Sequence, residues 1–187
     1  MFRELLEREF GPYGSLTIKQ IEQLEAHYRL LVRWNTRLNL TTINSVEEAV
    51  RLHYCESLFV GTQLPAGPLR VIDVGSGAGF PGIPIAILRP DCTLTLVDSH
   101  QRKAVFLREA SRNLKNVSVV TGRAENLRPK FDWLVSRAVH PKDVLKLKLA
   151  NSLALLVGRE ELPGFQRRDA VPWGTNRYLA FHVKHSC

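Results

Sequence analysis

The chain has 187 residues, with 26 lysines and arginines against 18 acidic residues and a formal net charge of +8. This length suits one domain with a helical extension, and no stretch approaches the roughly 20 consecutive apolar residues of a membrane-spanning helix. We therefore expect no membrane segment, and the excess of basic residues favours a phosphate-bearing partner such as nucleic acid.

The cysteines and histidines predict neither disulfides nor a metal site. Cys55, Cys92 and Cys187 are an odd number without CxxC spacing, and a chain of this size does not depend on disulfides, which favours the cytoplasm. The first ten residues also lack the basic-then-apolar order of a secretory signal. His182 and His185 beside Cys187 resemble a metal-ligand cluster only loosely, so we expect no metal site. We also expect the chain to be a monomer.

Two amphipathic helices are predicted near the start of the chain. Apolar residues between positions 17 and 38 recur at steps of three and four, which predicts a long helix that begins after Ser15 or Thr17. A second helix is predicted after Asn44 or Ser45, because two glutamates fall in its first turn, where the helix dipole stabilises them. The apolar positions of the first helix are Ile18, Ile21, Leu24, Tyr28, Leu31 and Trp34.

A turn rich in proline and glycine, at residues 64–69, separates this helical region from the rest of the chain. Across the turn, the periodicity changes from helical to an alternation of strands and helices. We therefore predict a helical region at residues 1–62 and a second domain at residues 66–187.

Short apolar runs alternate with helical patterns throughout the second domain. Strands that alternate with helices require crossover connections, which produce a parallel sheet covered on both faces. The predicted fold class is therefore α/β, a doubly wound, mostly parallel, Rossmann-like sheet. Residues 158–174 show little periodicity, which predicts a loop or a short helix. The predicted strands are 69–74, 93–97, 117–120, 131–136, 153–157 and 177–183, and the predicted helices are 82–88 and 101–114.

A glycine loop follows the first predicted strand and indicates a cofactor site. Gly75 and Gly77 belong to a set of three glycines at alternate positions, where the missing Cβ permits a positive φ and the close approach of a ligand. Residues 77–82 also match GxGxxG, the dinucleotide-binding pattern, with an acidic residue about twenty positions further on. A structural turn without any ligand is the simpler alternative.

Two residues favour S-adenosylmethionine over a dinucleotide in this loop. Asp73 precedes the first glycine by two positions, and a carboxylate there repels a diphosphate but attracts a sulfonium and an ammonium group. Pro81 lacks the backbone N–H that a diphosphate would require. We therefore predict an S-adenosylmethionine site that includes Asp73, Gly75 and Gly77.

Polar residues follow other predicted strands, at the edge of the sheet where ligands bind in open parallel sheets. Asp98 ends the second strand and is predicted to accept hydrogen bonds from both ribose hydroxyls; capping the next helix is the alternative role. Ala124 and Glu125 offer a backbone N–H and a carboxylate suited to an adenine edge, although Glu125 also fits a solvated surface position. Arg137 closes the fourth strand and is predicted to face the same crevice.

Several motifs occur together between about residues 24 and 138: WN at 34–35, NLT at 39–41, VIDVGSGAGFPGIP at 71–84, LVDS at 96–99, RK at 102–103, FL at 106–107 and VSRA at 135–138. In these motifs the chain resembles the small-subunit rRNA guanine-N7 methyltransferase G family, also called glucose-inhibited division protein B. The resemblance implies methyl transfer from S-adenosylmethionine to N7 of one guanine in the 16S rRNA of the small ribosomal subunit, with S-adenosylhomocysteine as product. It also implies cofactor contacts at Gly75, Phe80, Ala124, Glu125 and Arg137.

The chain departs from the family pattern at three places. Glu56 stands where similar members carry Asp, Val157 precedes Gly158 where they carry Lys, and the C-terminal region is shorter. The shorter C-terminal region concerns the outer edge of the sheet and any RNA contacts made there. Two further hypotheses stay open: an RNA-binding or ribosome-assembly module that keeps the cofactor fold without turnover, and a methyltransferase that acts on a small molecule or a protein.

The implied reaction requires no acid or base from the protein. Guanine N7 carries an unprotonated in-plane lone pair at neutral pH, so catalysis would rest on alignment of the reactants and exclusion of water. We therefore predict no catalytic residue, and His53 beside Cys55 lacks a partner acid and fits a structural role. The target is expected to be a loop or bulged base. The basic residues that could contact RNA phosphates are Arg102, Lys103, Arg108, Arg112, Lys115, Arg123 and the run Lys142–Lys148.

Overall fold

A seven-stranded sheet forms the centre of the molecule, whose computed structural model describes residues 1–128, 130–137, 139–160 and 162–183. The strands are β1 Arg70–Val74, β2 Thr93–Asp98, β3 Val117–Thr121, β4 Phe131–Arg137, β5 Ala150–Val157, β6 Arg167–Ala170 and β7 Tyr178–Val183. Their order is β3-β2-β1-β4-β5-β7-β6. The strands β1 to β5 are parallel, whereas β7 is antiparallel to both β5 and β6.

This topology confirms the predicted α/β class with a doubly wound, mostly parallel sheet. From β1 the chain adds β2 and β3 on one side, and then crosses to add β4 and β5 on the other. In open sheets of this kind, ligands bind at the carboxyl ends of the strands where the winding direction reverses. The reversal lies between β1 and β4, so the residues that follow these two strands are expected to border a site.

The prediction of a loop or short helix over residues 158–174 is wrong at β6. Three of the four residues of β6 are charged, so no alternation of apolar and polar residues marks a strand there. The strand forms because it pairs along β7, with Arg167 opposite Phe181. The Arg167 guanidinium also lies over the Phe181 ring, 5.1 Å from its centre. Pairing between distant segments thus replaces the missing local signal.

Side chains cap the start of the two helices that the sequence predicts in the N-terminal region. The Thr17 hydroxyl accepts a hydrogen bond from the Gln20 N–H at 3.3 Å, and the Gln20 side chain accepts one from the Thr17 N–H at 2.8 Å. Ser45 caps the second predicted helix in the same way, accepting from the Glu48 N–H. The helices are α1 Phe2–Phe10, α2 Ile18–Leu38, α3 Val46–Ala49, α4 Glu56–Gln63, α5 Gly82–Leu88, α6 Gln101–Ala110 and α7 Pro141–Leu147, with a short 3₁₀-helix at Ala124–Asn126.

A π-helical segment, Val50–Cys55, joins α3 to α4. It was not predicted, because an inserted π turn leaves no simple trace in the apolar periodicity. Helical segments of this type are rare and occur frequently at functional sites. This one carries Leu52 and His53 to the end of β4.

One hydrophobic cluster joins the N-terminal helices to one face of the sheet. Leu6, Leu24 and Leu58 from the helical region are fully buried in the same cluster as Ile83 and Leu94 from the second domain. Each such side chain contributes about 1.5–3 kcal/mol when fully buried. The helical region therefore depends on the sheet for its stability. The opposite face of the sheet is covered by a second cluster that includes Ile72, Leu134, Val144 and Leu155.

The described residues also bear on the membrane and metal expectations. Within these residues, none of the helices combines the length and the apolar character needed to cross a bilayer. The same part of the chain holds no group of three or more His, Cys, Asp or Glu side chains that could bind a metal ion. Cys55 and Cys92 are buried free thiols, whereas His185 and Cys187 lie outside the described residues.

Candidate functional site

A crevice of about 500 Å³ opens at the carboxyl ends of β1 to β4, where the topology places a ligand site. We call it the strand-end crevice. Five of the predicted site residues line it, and its size falls in the usual range for small-molecule sites. Its lining includes the predicted residues Gly75, Asp98, Ala124, Glu125 and Arg137, together with Ser99, His100, Lys103, Arg123, Val139 and Asp143.

The glycine loop between β1 and α5 is packed so closely that Gly75, Gly79 and Gly82 have no room for a side chain. Gly75 has a φ of +73°, and a Cβ there would lie 2.6 Å from Cγ2 of Val139, on the floor of the crevice. At Gly82 the backbone is ordinary, but a Cβ would lie 2.6 Å from Oδ2 of Asp73. Gly75 thus shapes the crevice, and Gly82 allows α5 to pack against β1.

Most backbone N–H groups of this loop donate to acceptors within the protein. Gly75 and Ser76 both donate to the Val97 carbonyl, at 2.9 and 3.1 Å. Gly79 and Phe80 donate to the Ser76 carbonyl, Gly77 and Gly82 donate to carboxylates, and Pro81 has no N–H. A dinucleotide site instead presents loop N–H groups to the diphosphate. The geometry therefore disfavours the dinucleotide alternative that the GxGxxG match leaves open.

Asp73 is fully buried beneath the loop rather than exposed in the crevice. Its Oδ2 accepts the Gly82 N–H at 3.0 Å, and among the described residues its Oδ1 has no hydrogen-bond partner. Burial raises the pKa of Asp73 to about 7, although the Gly82 N–H, the Ser76 side chain and the Arg137 charge oppose the shift. The structure thus places Asp73 as a support of the loop, and its contact with a cofactor stays a prediction.

The pKa of Asp73 leads to a pH-dependent stability. Because the folded pKa lies above the ordinary value of 3.8, the native state binds more protons than the unfolded state between pH 3.8 and about 7. Across that interval we expect the unfolding free energy of the wild type to fall by roughly 2–4 kcal/mol relative to Asp73→Asn. Asn retains an acceptor for the Gly82 N–H but does not titrate. Urea unfolding of both proteins at several pH values measures the difference, and parallel pH profiles would contradict it.

Asp98 lies at the end of β2 with both carboxylate oxygens directed at backbone N–H groups. Oδ2 accepts from Gly77 at 2.9 Å, and Oδ1 accepts from His100 at 2.8 Å, just before α6 begins. The side chain is nearly buried, at 5% exposure. Oδ1 also lies 3.3 Å from Nδ1 of the His100 ring, whereas Oδ2 has Gly77 as its one partner among the described residues. Because a carboxylate oxygen has about two acceptor sites, Oδ2 can accept a further hydrogen bond from a ligand. Asp98 therefore combines the predicted crevice position with the alternative role at the start of the helix.

The remaining predicted residues lie on different sides of the crevice. Ala124 and Glu125 begin the 3₁₀-helix after β3, where the first N–H groups have no partner inside the helix. Arg137 ends β4 on the opposite wall, whereas Ala138 of the VSRA motif lies outside the described residues. Phe80 is only 2% exposed and packs in the core beneath Arg137, whose guanidinium lies 5.2 Å from the ring centre. Direct cofactor contacts at these positions stay predictions.

A second and larger cavity, of about 840 Å³, adjoins the crevice and shares Arg137 and Val139 with it. We call it the β4–β5 cavity, because it opens beside the ends of these two strands. Arg177 borders this cavity and forms a bidentate ion pair with the buried carboxylate of Glu56. Of the positions that depart from the family pattern, Val157 lines this cavity, and Glu56 is connected to it through Arg177. Its other lining residues include Thr42, His53, His140, Gly158, Glu160 and Asn176.

His53 is a site residue that sequence reasoning did not assign. It is 5% exposed, and its Nδ1 lies 2.6 Å from Nη1 of Arg137. The sequence signal was the NLT motif, since Thr41 contacts the other nitrogen of the His53 ring. The two residues are 12 positions apart and meet through the π-helix, so neither spacing nor periodicity reveals the contact.

The predicted RNA-contacting residues are not all grouped at the site. Lys103 and Arg123 line the strand-end crevice. Arg108 donates to the Thr121 hydroxyl at 2.6 Å, and Lys146 pairs with Asp143 at 3.0 Å. The lysine run lies largely on α7, which begins where the chain leaves the crevice. Two of the predicted basic side chains therefore line the crevice, and the contacts of all of them with RNA stay predictions.

The fold and the crevice define the class of protein. Solved structures that share the fold include an S-adenosylmethionine-dependent methyltransferase from Aquifex aeolicus, with a TM-score of 0.55, 16% identity, and coverage of 72% of this chain and 91% of that one. Another is a ribosomal protein L11 methylase from Lactobacillus delbrueckii subsp. bulgaricus, with a TM-score of 0.56, 15% identity, and coverage of 76% and 81%. The fold is that of the class I S-adenosylmethionine-dependent methyltransferases.

Sequence comparison identifies the family within this class. Residues 20–158 match the family described as rRNA small subunit methyltransferase G, and the chain belongs to that family. The Chromobacterium violaceum relative, named ribosomal RNA small subunit methyltransferase G, is 47% identical over 128 residues, or 66% of this chain and 61% of the relative. The Lachnoclostridium phytofermentans protein of the same name is 43% identical over 135 residues, or 67% and 55%. The matched part thus spans about three fifths of these relatives, and the expected family is confirmed.

Proposed function

We propose that the chain transfers a methyl group from S-adenosylmethionine to N7 of a guanine in the 16S rRNA of the small ribosomal subunit. The observation that carries the proposal is the strand-end crevice, in which a closed glycine loop faces the Asp98 carboxylate. The loop offers no cradle of N–H groups for a diphosphate, while Oδ2 of Asp98 has an acceptor site left for a ribose hydroxyl. The assignment of small-subunit rRNA as the substrate rests on the names of the relatives.

The crevice residues fit the parts of the cofactor, which when bound supplies an activated methyl group on a sulfonium. Gly75 permits close approach of the aminoacyl portion, and Asp98 would hold the ribose. Ala124 and Glu125 would hold the adenine edge through a backbone N–H and a carboxylate. Arg137, at the junction with the β4–β5 cavity, would order the reacting end. Asp73 supports the loop from below, and Phe80 supports Arg137.

The β4–β5 cavity is the place for the target base. It adjoins the crevice at Arg137 and Val139, and its volume suits an unstacked nucleotide. The guanine N7 lone pair lies in the plane of the ring and needs no deprotonation. The protein therefore contributes alignment of the two reactants and exclusion of water. Positive charge passes from the sulfonium to the purine during the reaction, so a carboxylate near the purine favours the product, and Glu160 lines the β4–β5 cavity.

The proposal extends to the partners and organisation of the chain. Net charge of +8 and the basic side chains around the crevice support a salt-dependent contact with RNA phosphates. The chain acts as a monomer in the cytoplasm, and uses neither a metal nor a membrane anchor. Residues 1–62 form a helical region and residues 66–187 form the methyltransferase domain. In this arrangement the helical region borders the β4–β5 cavity through Thr42 and His53.

The test is transfer of labelled methyl from S-adenosylmethionine to small subunits, or to their naked rRNA, from cells that lack the modification. We expect stoichiometric label in 16S rRNA at a guanine N7, with loss of the signal after ribonuclease treatment and at high salt. Binding of S-adenosylhomocysteine without transfer would support the assembly-module alternative instead. Transfer that survives ribonuclease would point to a protein or small-molecule substrate.

A further inference from the structure

His53 and Thr41 lie outside the predicted cofactor site, yet they connect the helical region to Arg137. The Asn35 amide forms two hydrogen bonds with the Thr41 backbone, donating to its carbonyl and accepting from its N–H, both at 2.9 Å. The Thr41 hydroxyl lies 2.8 Å from Nε2 of His53, and Nδ1 of His53 lies 2.6 Å from Nη1 of Arg137. These four residues form one continuous chain of contacts.

The hydrogen-bond chemistry sets the direction of this chain. Arginine only donates, so Nδ1 of His53 must accept from Arg137. Nε2 then carries the ring proton and donates to the Thr41 hydroxyl, which also accepts from the Ile43 N–H at 3.1 Å. Burial and the Arg137 charge lower the pKa of His53 to about 2. The imidazole is therefore a neutral acceptor with a fixed tautomer, not a proton carrier.

Arg137 is held on one side and open on the other. Both hydrogens of Nη1 are used, one by His53 and one by the Leu52 carbonyl at 2.9 Å. Below the guanidinium lies the ring of Phe80, which stacks on His53 with a centroid distance of 4.6 Å. Among the described residues, Nε and Nη2 of Arg137 have no hydrogen-bond partner, and Arg137 borders both cavities. Three N–H groups thus remain for ligands.

Nearby charges do not explain the orientation of Arg137. Burial lowers its pKa to about 10, so the group remains a cation at neutral pH. The carboxylates of Glu56 and Asp73 attract it and Arg177 repels it, but neither carboxylate forms a hydrogen bond with Arg137. Glu56, however, is already engaged by Arg177. The directional contacts to Arg137 therefore come from the π-helix, through Leu52 and His53.

We propose that His53 is a positioning residue for Arg137, fixed in turn by Thr41 and Asn35. The helical region is then part of the active site, because it directs the free edge of Arg137 toward the junction of the two cavities. The assignment rests on the proposed function in so far as the ligands at that junction are S-adenosylmethionine and a guanine. The WN and NLT motifs, which the cofactor site leaves unexplained, become the support of this contact.

The kinetic test compares variants that remove or retain each contact. His53→Ala should lower kcat by about 10- to 100-fold with a smaller change in KM, because a misplaced group near the reacting atoms costs rates of this order. His53→Asn, whose oxygen can replace Nδ1 as acceptor, should recover much of the loss. Thr41→Val should lower kcat by about 3- to 10-fold, as expected for one lost hydrogen bond, while Thr41→Ser should not.

A matched control separates positioning from stability. Tyr54→Phe removes a buried hydroxyl that bonds His27 at 2.8 Å, one residue from His53, and it leaves Arg137 untouched. It should lower Tm to an extent similar to His53→Ala but leave kcat unchanged at a temperature well below both transitions. Equal kcat in His53→Ala and Tyr54→Phe would overturn the assignment.

Two readouts do not require methyl transfer. Calorimetry should show that His53→Ala weakens S-adenosylhomocysteine binding by about tenfold and that His53→Asn restores it. Nitrogen-15 NMR of labelled histidines at neutral pH should find the His53 ring proton on Nε2. A proton on Nδ1 would overturn the assignment of His53 as the acceptor of the Arg137 hydrogen bond. If the wild type fails to methylate rRNA, the proposed function is contradicted, whereas the tautomer and the binding series still decide the role of His53.

Discussion

Asp98→Asn should weaken the binding of S-adenosylhomocysteine by about 10- to 100-fold, equivalent to about 1.4–2.8 kcal/mol. Both oxygens of Asp98 accept backbone N–H groups, from Gly77 and His100. An amide has one oxygen, so one of these donors would face an NH₂ group, and the acceptor for one ribose hydroxyl would be lost as well. Isothermal titration calorimetry on the purified proteins measures the change.

The control for this prediction is Asp91→Asn. Asp91 is an exposed carboxylate that pairs with Arg89 at 3.0 Å, and it does not line the strand-end crevice. Its removal should leave the affinity unchanged, because exposed ion pairs contribute little and the site is elsewhere. Equal affinities for the wild type and Asp98→Asn would show that the carboxylate does not hold the ligand.

Gly82→Ala should produce the largest loss of stability, about 3 kcal/mol or more, with a fall in Tm of about 6–12 °C. A Cβ at this position would overlap Cδ2 of Leu96 and approach the Asp73 carboxylate. Both neighbours are fully buried, so neither can move aside without opening the core. Thermal unfolding followed by circular dichroism measures the effect.

Gly67→Ala is the matched substitution for Gly82→Ala. Gly67 has a φ of +91°, and nothing lies within 4 Å of a Cβ built there. Its replacement therefore costs only the backbone strain of a left-handed conformation, about 1–2 kcal/mol. If Gly67→Ala were as destabilising as Gly82→Ala, the close packing of α5 against β1 would not be what makes glycine necessary.

Strand order and loop chemistry explain why part of the site could be predicted from the sequence. Asp98 and Arg137 are the last residues of β2 and β4, and Ala124 lies three residues after the end of β3. Parallel strands bring their carboxyl ends to one edge of the sheet. Their position on the crevice therefore follows from the alternation of strands and helices alone. The same logic places Gly75 at the opening of the loop. Local pattern is sufficient wherever topology converts chain order into proximity.

Other features depend on contacts that no local pattern encodes. His53 and Arg137 lie 84 positions apart and meet because a π-helical segment alters the phase of the helix. Phe80 belongs to the glycine loop, but its side chain is buried in the core, where it stacks on His53 of the helical region. β6 carries mostly charged residues and forms a strand because it pairs with β7. These outcomes are decided by packing between distant segments.

The helical region has two roles in this account. Its leucines complete the core on one face of the sheet, and its π-helix orients the arginine at the end of β4. A truncation that removes it would therefore expose the core and release Arg137 together. Substitutions at Thr41 and His53 separate these effects, because they leave the leucine packing intact.

Mass mapping of modified guanines in rRNA from cells with and without this chain tests the central claim most directly. The account predicts that one guanine of 16S rRNA carries an additional methyl group at N7 only when the chain is present, and that Asp98→Asn reduces the occupancy of that position. An identical pattern of guanine methylation in the two rRNA preparations would contradict it.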